Sequence, residues 1–221
     1  MILVTGGTGF IGRCLVRQLT EAGYPVRLLI RPSQQSPQLP KGVPVEVAVS
    51  SLSDRRGLRA AMVGVDVVYH LAGAESNGPG RGLLEVDIRS TQAVSEVAAD
   101  AKVKRFFYLS HLGADRASAY PVFKAKAIAE EYVRRSGMRA TIIRSAIVYG
   151  LGDAFTSGLA YLLRNIPFIF LLPDGGQTLL QPLWVEDLAT CLVWALENET
   201  IRDQTISIGG PEYLSLKEIL R

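Results

Sequence analysis

The sequence predicts an α/β protein built on a doubly wound parallel sheet, followed by a small C-terminal lobe. Three observations carry that prediction. Short, β-branched and almost wholly apolar runs alternate with longer stretches of 3.6-residue periodicity, and strands of that kind belong to sheets covered on both faces. The strand-helix-strand order begins at the first residues, so the connections are crossovers. The chain has 221 residues, 48% of them hydrophobic and 20% charged, enough to hide roughly 70% of its unfolded surface in one sizeable core.

The elements follow in order. An apolar run at 2–5, a helical pattern at 11–22 and a strand at 25–30 form the first unit. A strand at 43–48, a short helix from Asp54 and the run from Val65 to Leu71 continue it. A helix at 82–100 then leads to a strand from Arg105 to Ser110. The helix from Tyr120 to Ser136 has Pro121 in its first turn and Gly137 just past its end, the favoured places for those residues. The strand from Ala140 to Arg144 completes residues 1–150 as one unit. Beyond Gly150 the pattern loosens into a helix at 154–164, the aromatic stretch Phe168-Ile169-Phe170 and a Gly175-Gly176 turn. A helix at 186–197 and a strand from Thr205 to Ile208 then rejoin the sheet. Residues 183–210 therefore read as core, and 151–182 with 211–221 as a small, incomplete substrate lobe. Ser215-Leu216-Lys217-Glu218 is a capping-box start with few residues left to extend it, which predicts a longer natural chain, or a missing part that is disordered or replaced by a partner.

Charge excludes one class of partner. The 24 Lys and Arg against 21 Asp and Glu leave a net +3, without a basic block, whereas binding a nucleic-acid backbone needs a concentrated basic stripe. The opening residues carry no export signal, and the longest apolar run, Ile166 to Pro173, is too short for a membrane span. Cys14 and Cys191 form no C-x-x-C and sit in apolar helical stretches, as expected of buried thiols in a reducing cytoplasm.

Gly7-Thr8-Gly9-Phe10-Ile11-Gly12 fits G-x-G-x-x-G, and Gly6 extends it to T-G-x-x-G-x-x-G. The pattern follows an apolar strand, opens an amphipathic helix and lies within a strand-helix-strand unit of suitable length, which is the context that identifies a dinucleotide site. Glycines allow the tight turn and close backbone approach, while free N–H groups and the helix dipole face a pyrophosphate. Gly6, Thr8, Gly9, Phe10, Ile11 and Gly12 are the candidate phosphate-side residues. After the second strand, sites for NAD place a carboxylate on the ribose 2′-hydroxyl. This chain has Arg31-Pro32-Ser33 there, so Arg31 and Ser33 predict NADP(H) in preference to NAD(H), an arginine attracting the 2′-phosphate that an acid would repel.

Tyr120 and Lys124 stand four residues apart at the start of a helix, where such side chains share a face. An ammonium beside a phenol favours its phenolate form, suiting it to exchange a proton with an alcohol or carbonyl. The helix follows the fifth strand and so emerges at the ligand edge of the sheet.

With these motifs in place the chain resembles the short-chain dehydrogenase/reductase superfamily, in its extended and atypical branch. The resemblance also rests on His70-Leu71-Ala72-Gly73, Tyr108-Leu109-Ser110, Arg144 through Val148-Tyr149-Gly150, and Pro182 through Ala189. Ser110-His111-Leu112-Gly113-Ala114 matches the Ser-x-Leu-Gly-Ala of the NmrA-like and complex I accessory-subunit-like group. The resemblance implies a Rossmann fold, Tyr120 as acid/base, Lys124 on the nicotinamide ribose and Ser110 as the serine partner. It further implies that Leu71, Ala72 and Gly73 line the cofactor, with Ser51 and Leu52 on its adenine side. The chain departs from the family at Asp87, where asparagine is usual, at Ser145, where proline is usual, and at Ser110, which lies unusually close to Tyr120.

The remaining polar residues have plainer readings. His70 ends an apolar strand and reads as a hydrogen-bonded core histidine; His111 sits on the substrate-side loop. No Cys/His/Asp/Glu spacing suggests a metal. Glu186-Asp187 suits a helix N-terminus. Two functions remain open: an enzyme of oxidoreductase or epimerase/dehydratase type, moving hydride between nicotinamide and a small carbonyl or alcohol substrate, or a dinucleotide-binding sensor, assembly factor or accessory subunit. A homo-oligomer or a larger complex is compatible with both.

Overall fold

The computed structural model describes residues 1–33, 42–74, 82–165 and 172–220, with Pro173 described in its backbone alone. The aromatic stretch Phe168-Ile169-Phe170 and residues 34–41 lie outside the described residues. Among the described residues eleven strands and seven α-helices run in the order β1 (Ile2–Thr5), α1 (Phe10–Glu21), β2 (Val26–Ile30), β3 (Glu46–Val49), α2 (Arg55–Ala61), β4 (Val67–His70), α3 (Ser90–Asp100), β5 (Arg105–His111), α4 (Pro121–Arg135), β6 (Ala140–Ser145), β7 (Val148–Tyr149), α5 (Ala154–Asn165), β8 (Leu179–Leu180), β9 (Leu183–Trp184), α6 (Val185–Trp194), β10 (Thr205–Ile208), β11 (Leu214–Ser215) and α7 (Leu216–Ile219).

Seven strands form one sheet in the order β10-β6-β5-β4-β1-β2-β3, and each neighbouring pair is parallel. The order reverses between β1 and β4, the switch point where the carboxyl ends of strands leave a crevice. Two short pairs lie apart from the sheet and were not legible in the pattern. β7 runs parallel to β9, and β8 antiparallel to β11.

Alternation along the strands divides the core into two layers. Val4, Leu28, Tyr69, Phe107 and Ile143 face α1 and α6, whereas Leu3, Val68, Phe106, Tyr108 and Ile142 face α2, α3 and α4. Each fully buried side chain of this size stabilises the fold by about 1.5–3 kcal/mol before entropy is counted. Tyr69 and Phe107 stack at 4.5 Å between centroids, and the Tyr69 hydroxyl donates to the Leu192 carbonyl at 2.6 Å, joining sheet to α6. Helices α1 and α6 are also tied by polar contacts, because Arg17 pairs with Glu186, Gln18 donates to the Glu186 carbonyl and Thr190 donates to Gln18.

The long helix expected at 82–100 is two segments. Leu83–Arg89 is π-helical and only then does α3 begin; such wide turns tend to occur at functional sites. The capping box at Ser215 and Glu218 forms as expected, with Ser215 N–H donating to the Glu218 carboxylate at 2.7 Å and Glu218 N–H to Ser215 Oγ at 3.2 Å. Cys14 is buried and burial pushes its thiol up to about 12. Cys191 is half-buried, so the expectation of two fully buried thiols holds for Cys14 alone. No helix among the described residues is long and apolar enough to cross a membrane.

Candidate functional site

The glycine turn after β1 is shaped for something to approach its backbone. Gly6 has a left-handed φ of +74°, and a Cβ there would lie 2.7 Å from the Ala72 nitrogen. A Cβ on Gly12 would lie 2.1 Å from the Gly6 carbonyl oxygen and 2.7 Å from Gly7 Cα. Gly9 caps α1 without any side-chain hydrogen bond, and no acidic residue stands in the first turn. The leading N–H groups of a helix have no partner within it; here they meet neither a capping oxygen nor a carboxylate, so their partial positive charge points outward. These features fit a pyrophosphate.

A cleft of about 310 Å³ opens over this turn. Gly6, Gly9, Phe10, Ile11 and Gly12 form its floor, and Leu71 and Gly73 follow β4. Leu109, Ser110 and His111 come from β5, Lys126 from α4, and Ser145 through Val148 with Asp153, Ala154 and Phe155 from the far side. Of the other residues expected at the cofactor, Ala72 abuts Gly6 behind the turn. Thr8 lies in the turn but not on the cleft wall. Arg31 and Ser33 are exposed at the end of β2 and Ser51 is half-buried in the loop after β3, the edge where an adenosine ribose would fall. Leu52 is a correction: it is buried in the apolar layer that also holds Leu58 and Val68, and it does not line the cleft.

The Tyr120 and Lys124 expectation needs the largest correction. Tyr120 is 68% exposed and packs edge-on against Phe123; Lys124 is exposed, and neither lines the cleft. The buried face of α4 carries Ala125, Lys126, Ala129, Glu130 and Val133, so the cation that reaches the cleft is Lys126. Four residues before it stands Val122, which has no proton to exchange.

Ser110 lines the cleft but its hydroxyl is engaged. It donates to Glu130 at 2.6 Å, and the same buried carboxylate accepts from Arg144 at 2.8 and 2.7 Å and from Arg134 at 2.8 Å. Burial alone would raise the Glu130 carboxyl, but the donors from Arg144, Ser110 and Arg134 hold it below its ordinary value. This arrangement clamps α4 to β5 and β6 and makes Ser110 a structural group. His70 is the core histidine the sequence suggests: Thr5 Oγ1 and Thr91 Oγ1 lie 2.7 and 2.9 Å from its two nitrogens. Burial, with Lys126 nearby, takes its pKa down to about 3 and keeps the ring neutral. His111 does line the cleft, its Nδ1 bonded to the Leu112 carbonyl and its ring 4.9 Å from that of Phe123.

Sequence reasoning missed Lys126, Glu130 and Asp153. The last is buried and caps α5 by accepting from Thr156 N–H at 2.6 Å, while its other oxygen accepts from Gly150 N–H in the preceding turn at 3.1 Å. Among the described residues no group of three His, Cys, Asp or Glu side chains is placed to hold a metal ion.

A parallel sheet with its crevice at the switch point, floored by a glycine turn and an uncapped helix N-terminus, defines a dinucleotide-binding α/β protein. Residues 6–153 match the family model described as NAD(P)H-binding. The chain belongs to that family. It is 30% identical over 225 residues to the NADH dehydrogenase [ubiquinone] 1 alpha subcomplex subunit 9 of Arabidopsis thaliana, covering 98% of this chain and 55% of that protein. It is 33% identical over 193 residues to a ceramide reductase of Caulobacter vibrioides, covering 87% and 60%. The chain thus spans little more than half the length of these relatives. An epimerase from Methanothermobacter thermautotrophicus shares the fold with a TM-score of 0.84 at 22% identity, covering 99% of this chain and 74% of that one.

Proposed function

We propose that this chain holds a nicotinamide dinucleotide without tyrosine-dependent turnover, as a sensing, assembly or accessory component of a larger complex. The supporting observation is the side chain at the position that shares a helix face with the cleft lysine: Val122 stands four residues before Lys126 and offers no hydroxyl. Ser110, committed to Glu130, supplies none in its place. The relation to a protein named as an NADH dehydrogenase subunit accords with a role in an assembly. The test is a fluorescence titration with NADPH and NADH, followed by cofactor oxidation across a panel of aldehydes, ketones, quinones and sugar nucleotides. Saturable binding without turnover, and a Tyr120→Phe variant within about twofold of the parent, are expected; turnover that collapses in Tyr120→Phe overturns the reading.

One observation favours a second reading, a carbonyl reductase. His111 lines the cleft and is able to carry a proton. Bound reduced nicotinamide would supply hydride to a carbonyl carbon, and His111 would donate the proton to its oxygen. Parent turnover that falls on the order of a hundredfold in His111→Ala, with cofactor affinity kept, would establish this reading instead.

We propose NADP(H) as the preferred cofactor on the strength of Arg31 at the end of β2, where no carboxylate competes. Arg31→Ala is expected to weaken NADPH binding about tenfold and to leave NADH within about twofold. Tighter parent binding of NADH than of NADPH refutes the preference. We assign the described residues of 151–182 and 211–221 to the substrate side of the cleft, supported by Asp153, Ala154 and Phe155 on its wall. The two free cysteines accord with a reducing compartment such as the cytoplasm.

A further inference from the structure

At the amino-terminal edge of the sheet, opposite the cleft, three turns lead into neighbouring strands. Residues 102–104 lead into β5, 136–139 into β6 and 202–204 into β10, and the strand order β10-β6-β5 sets the three turns side by side. Among them lies a hollow of about 580 Å³. Lys102, Lys104, Arg139 and Arg202 line it, and among the described residues no carboxylate does. These cations come from distant stretches of the sequence, so folding alone assembles them. The apolar part of the wall is Val103, which is buried, and Met138, which is half-buried.

Two of the cations have partners outside the hollow, Lys104 with Asp66 at 2.7 Å and Arg202 with Glu199. Asp203 stands in the third turn but not on the wall, and Asp100 turns to Arg59. Lys102 and Arg139 are exposed and enter no ion pair among the described residues. Lys102 also holds an unfavourable backbone conformation. Helices α1 and α4 end on left-handed glycines, Gly23 at φ +84° and Gly137 at φ +72°. At the same point after α3 stands Lys102, at φ +57°, a conformation that crowds any Cβ and that glycine adopts freely. A left-handed lysine where the sister turns use glycine points to a use for its charge.

The surroundings select the kind of anion. Helices α3 and α4 both end at the hollow, and the last carbonyls of a helix carry partial negative charge. Cations are favoured there, but a compact polyphosphate seated between two such ends is opposed by both. A peptide meets the same surroundings better. Its spaced carboxylates reach the cations, its N–H groups suit helix-end carbonyls, and an apolar side chain covers Val103 and Met138. A membrane surface fits less well, because the hollow is concave and, among the described residues, none of the large apolar side chains exposed elsewhere, such as Val63 or Trp194, lines it. Four cations in one hollow also fall short of the stripe that a nucleic-acid backbone tracks.

We propose that this hollow docks an acidic segment of a partner protein, one that carries an apolar residue among its carboxylates. Docking here would give the assembly role proposed above a surface, and it needs none of the cleft residues.

The test is fluorescence anisotropy with a fluorescein-labelled peptide in which Asp and Glu alternate with Leu, titrated with the full chain and with its Lys102→Gly, Arg139→Gln and double variants. The parent is expected to bind saturably at an ionic strength of about 0.05 M and several-fold more weakly at about 0.3 M, where exposed ion pairs are screened. Each single variant is expected to weaken binding by about threefold to fivefold, and the double variant by about tenfold. Lys102→Gly should leave the urea midpoint at or above the parent's, since glycine relieves the left-handed turn; its lost affinity is then not a loss of fold. Arg56→Gln, at an exposed cation of α2, is expected to bind within about twofold of the parent. No saturable binding, an equal loss in Arg56→Gln, or a double variant that binds like the parent overturns the inference. Phosphatidylglycerol vesicles or tripolyphosphate bound more tightly than the peptide, and weakened by the double variant, overturn it in favour of a membrane contact or a small-anion site. NADPH titrated into the same proteins keeps the two readings apart. Its affinity is expected to be unchanged in the double variant, and a parent that binds the peptide but not NADPH brings down the dinucleotide reading alone.

Discussion

Gly12→Ala is expected to abolish dinucleotide binding, raising the dissociation constant by at least about a hundredfold in a fluorescence titration. The added methyl would sit 2.1 Å from the Gly6 carbonyl oxygen and 2.7 Å from Gly7 Cα. Both are backbone atoms of the turn itself, so relief requires α1 to withdraw from the strand end, and the outward N–H groups leave the positions that face a pyrophosphate. Overpacking of this kind also costs about 1–3 kcal/mol of stability, read as a lower midpoint in urea. Near-parent affinity in a folded Gly12→Ala protein would mean that the phosphates do not sit on this turn.

Glu130→Ala is expected to be the most destabilising single change outside the apolar core, by about 3 kcal/mol or more in denaturant unfolding. Removing the carboxylate leaves Arg144 and Ser110 without their buried acceptor, and breaking one side of a buried pair costs far more than a surface pair is worth. A pH signature accompanies it. Hydrogen bonds from Arg144, Ser110 and Arg134 hold the Glu130 carboxyl below its ordinary value in the folded chain. Its stabilising contribution is therefore fully present above the unfolded-state value of about 4.3 and is lost as pH falls through the lower folded one. The parent should lose stability across that acid interval more steeply than Glu130→Gln, which has no proton to take up. Equal slopes for the two proteins would show that Glu130 does not drive the acid limb.

Much of this architecture was legible because the signals were local. The runs at 2–5 and Thr205 to Ile208 recur unchanged as β1 and β10, since an apolar strand between breakers leaves few alternatives. The glycine turn was legible for the same reason: its meaning lies in consecutive residues and their flanks. The lysine of the site was not, because a Tyr-x-x-x-Lys spacing is satisfied by Tyr120 and Lys124 without regard to which face of α4 is inward. Phase would have decided it. Lys126, Glu130 and Val133 fall on one stripe of the helix, and two charges on a stripe otherwise made of Ala125, Ala129 and Val133 signal buried partners. Those partners, Asp87 and Arg144, lie 39 and 14 residues away in sequence, beyond what periodicity can reach. The π-helical turn that delivers Asp87 likewise has no distinctive residue pattern.

The packing of α6 against α1 has a consequence for biosynthesis. The helix that opens the phosphate turn is translated well before its packing partner, because Leu15, Leu19 and Val16 share their apolar layer with Leu188 and Leu192 of α6. At ribosomal speeds of about 5–20 residues per second, roughly ten to thirty seconds separate the two. A nascent chain thus carries a naked oily stripe through that interval, and ribosome-bound fragments stopped before Val185 should recruit holdase chaperones that fragments ending beyond Trp194 release.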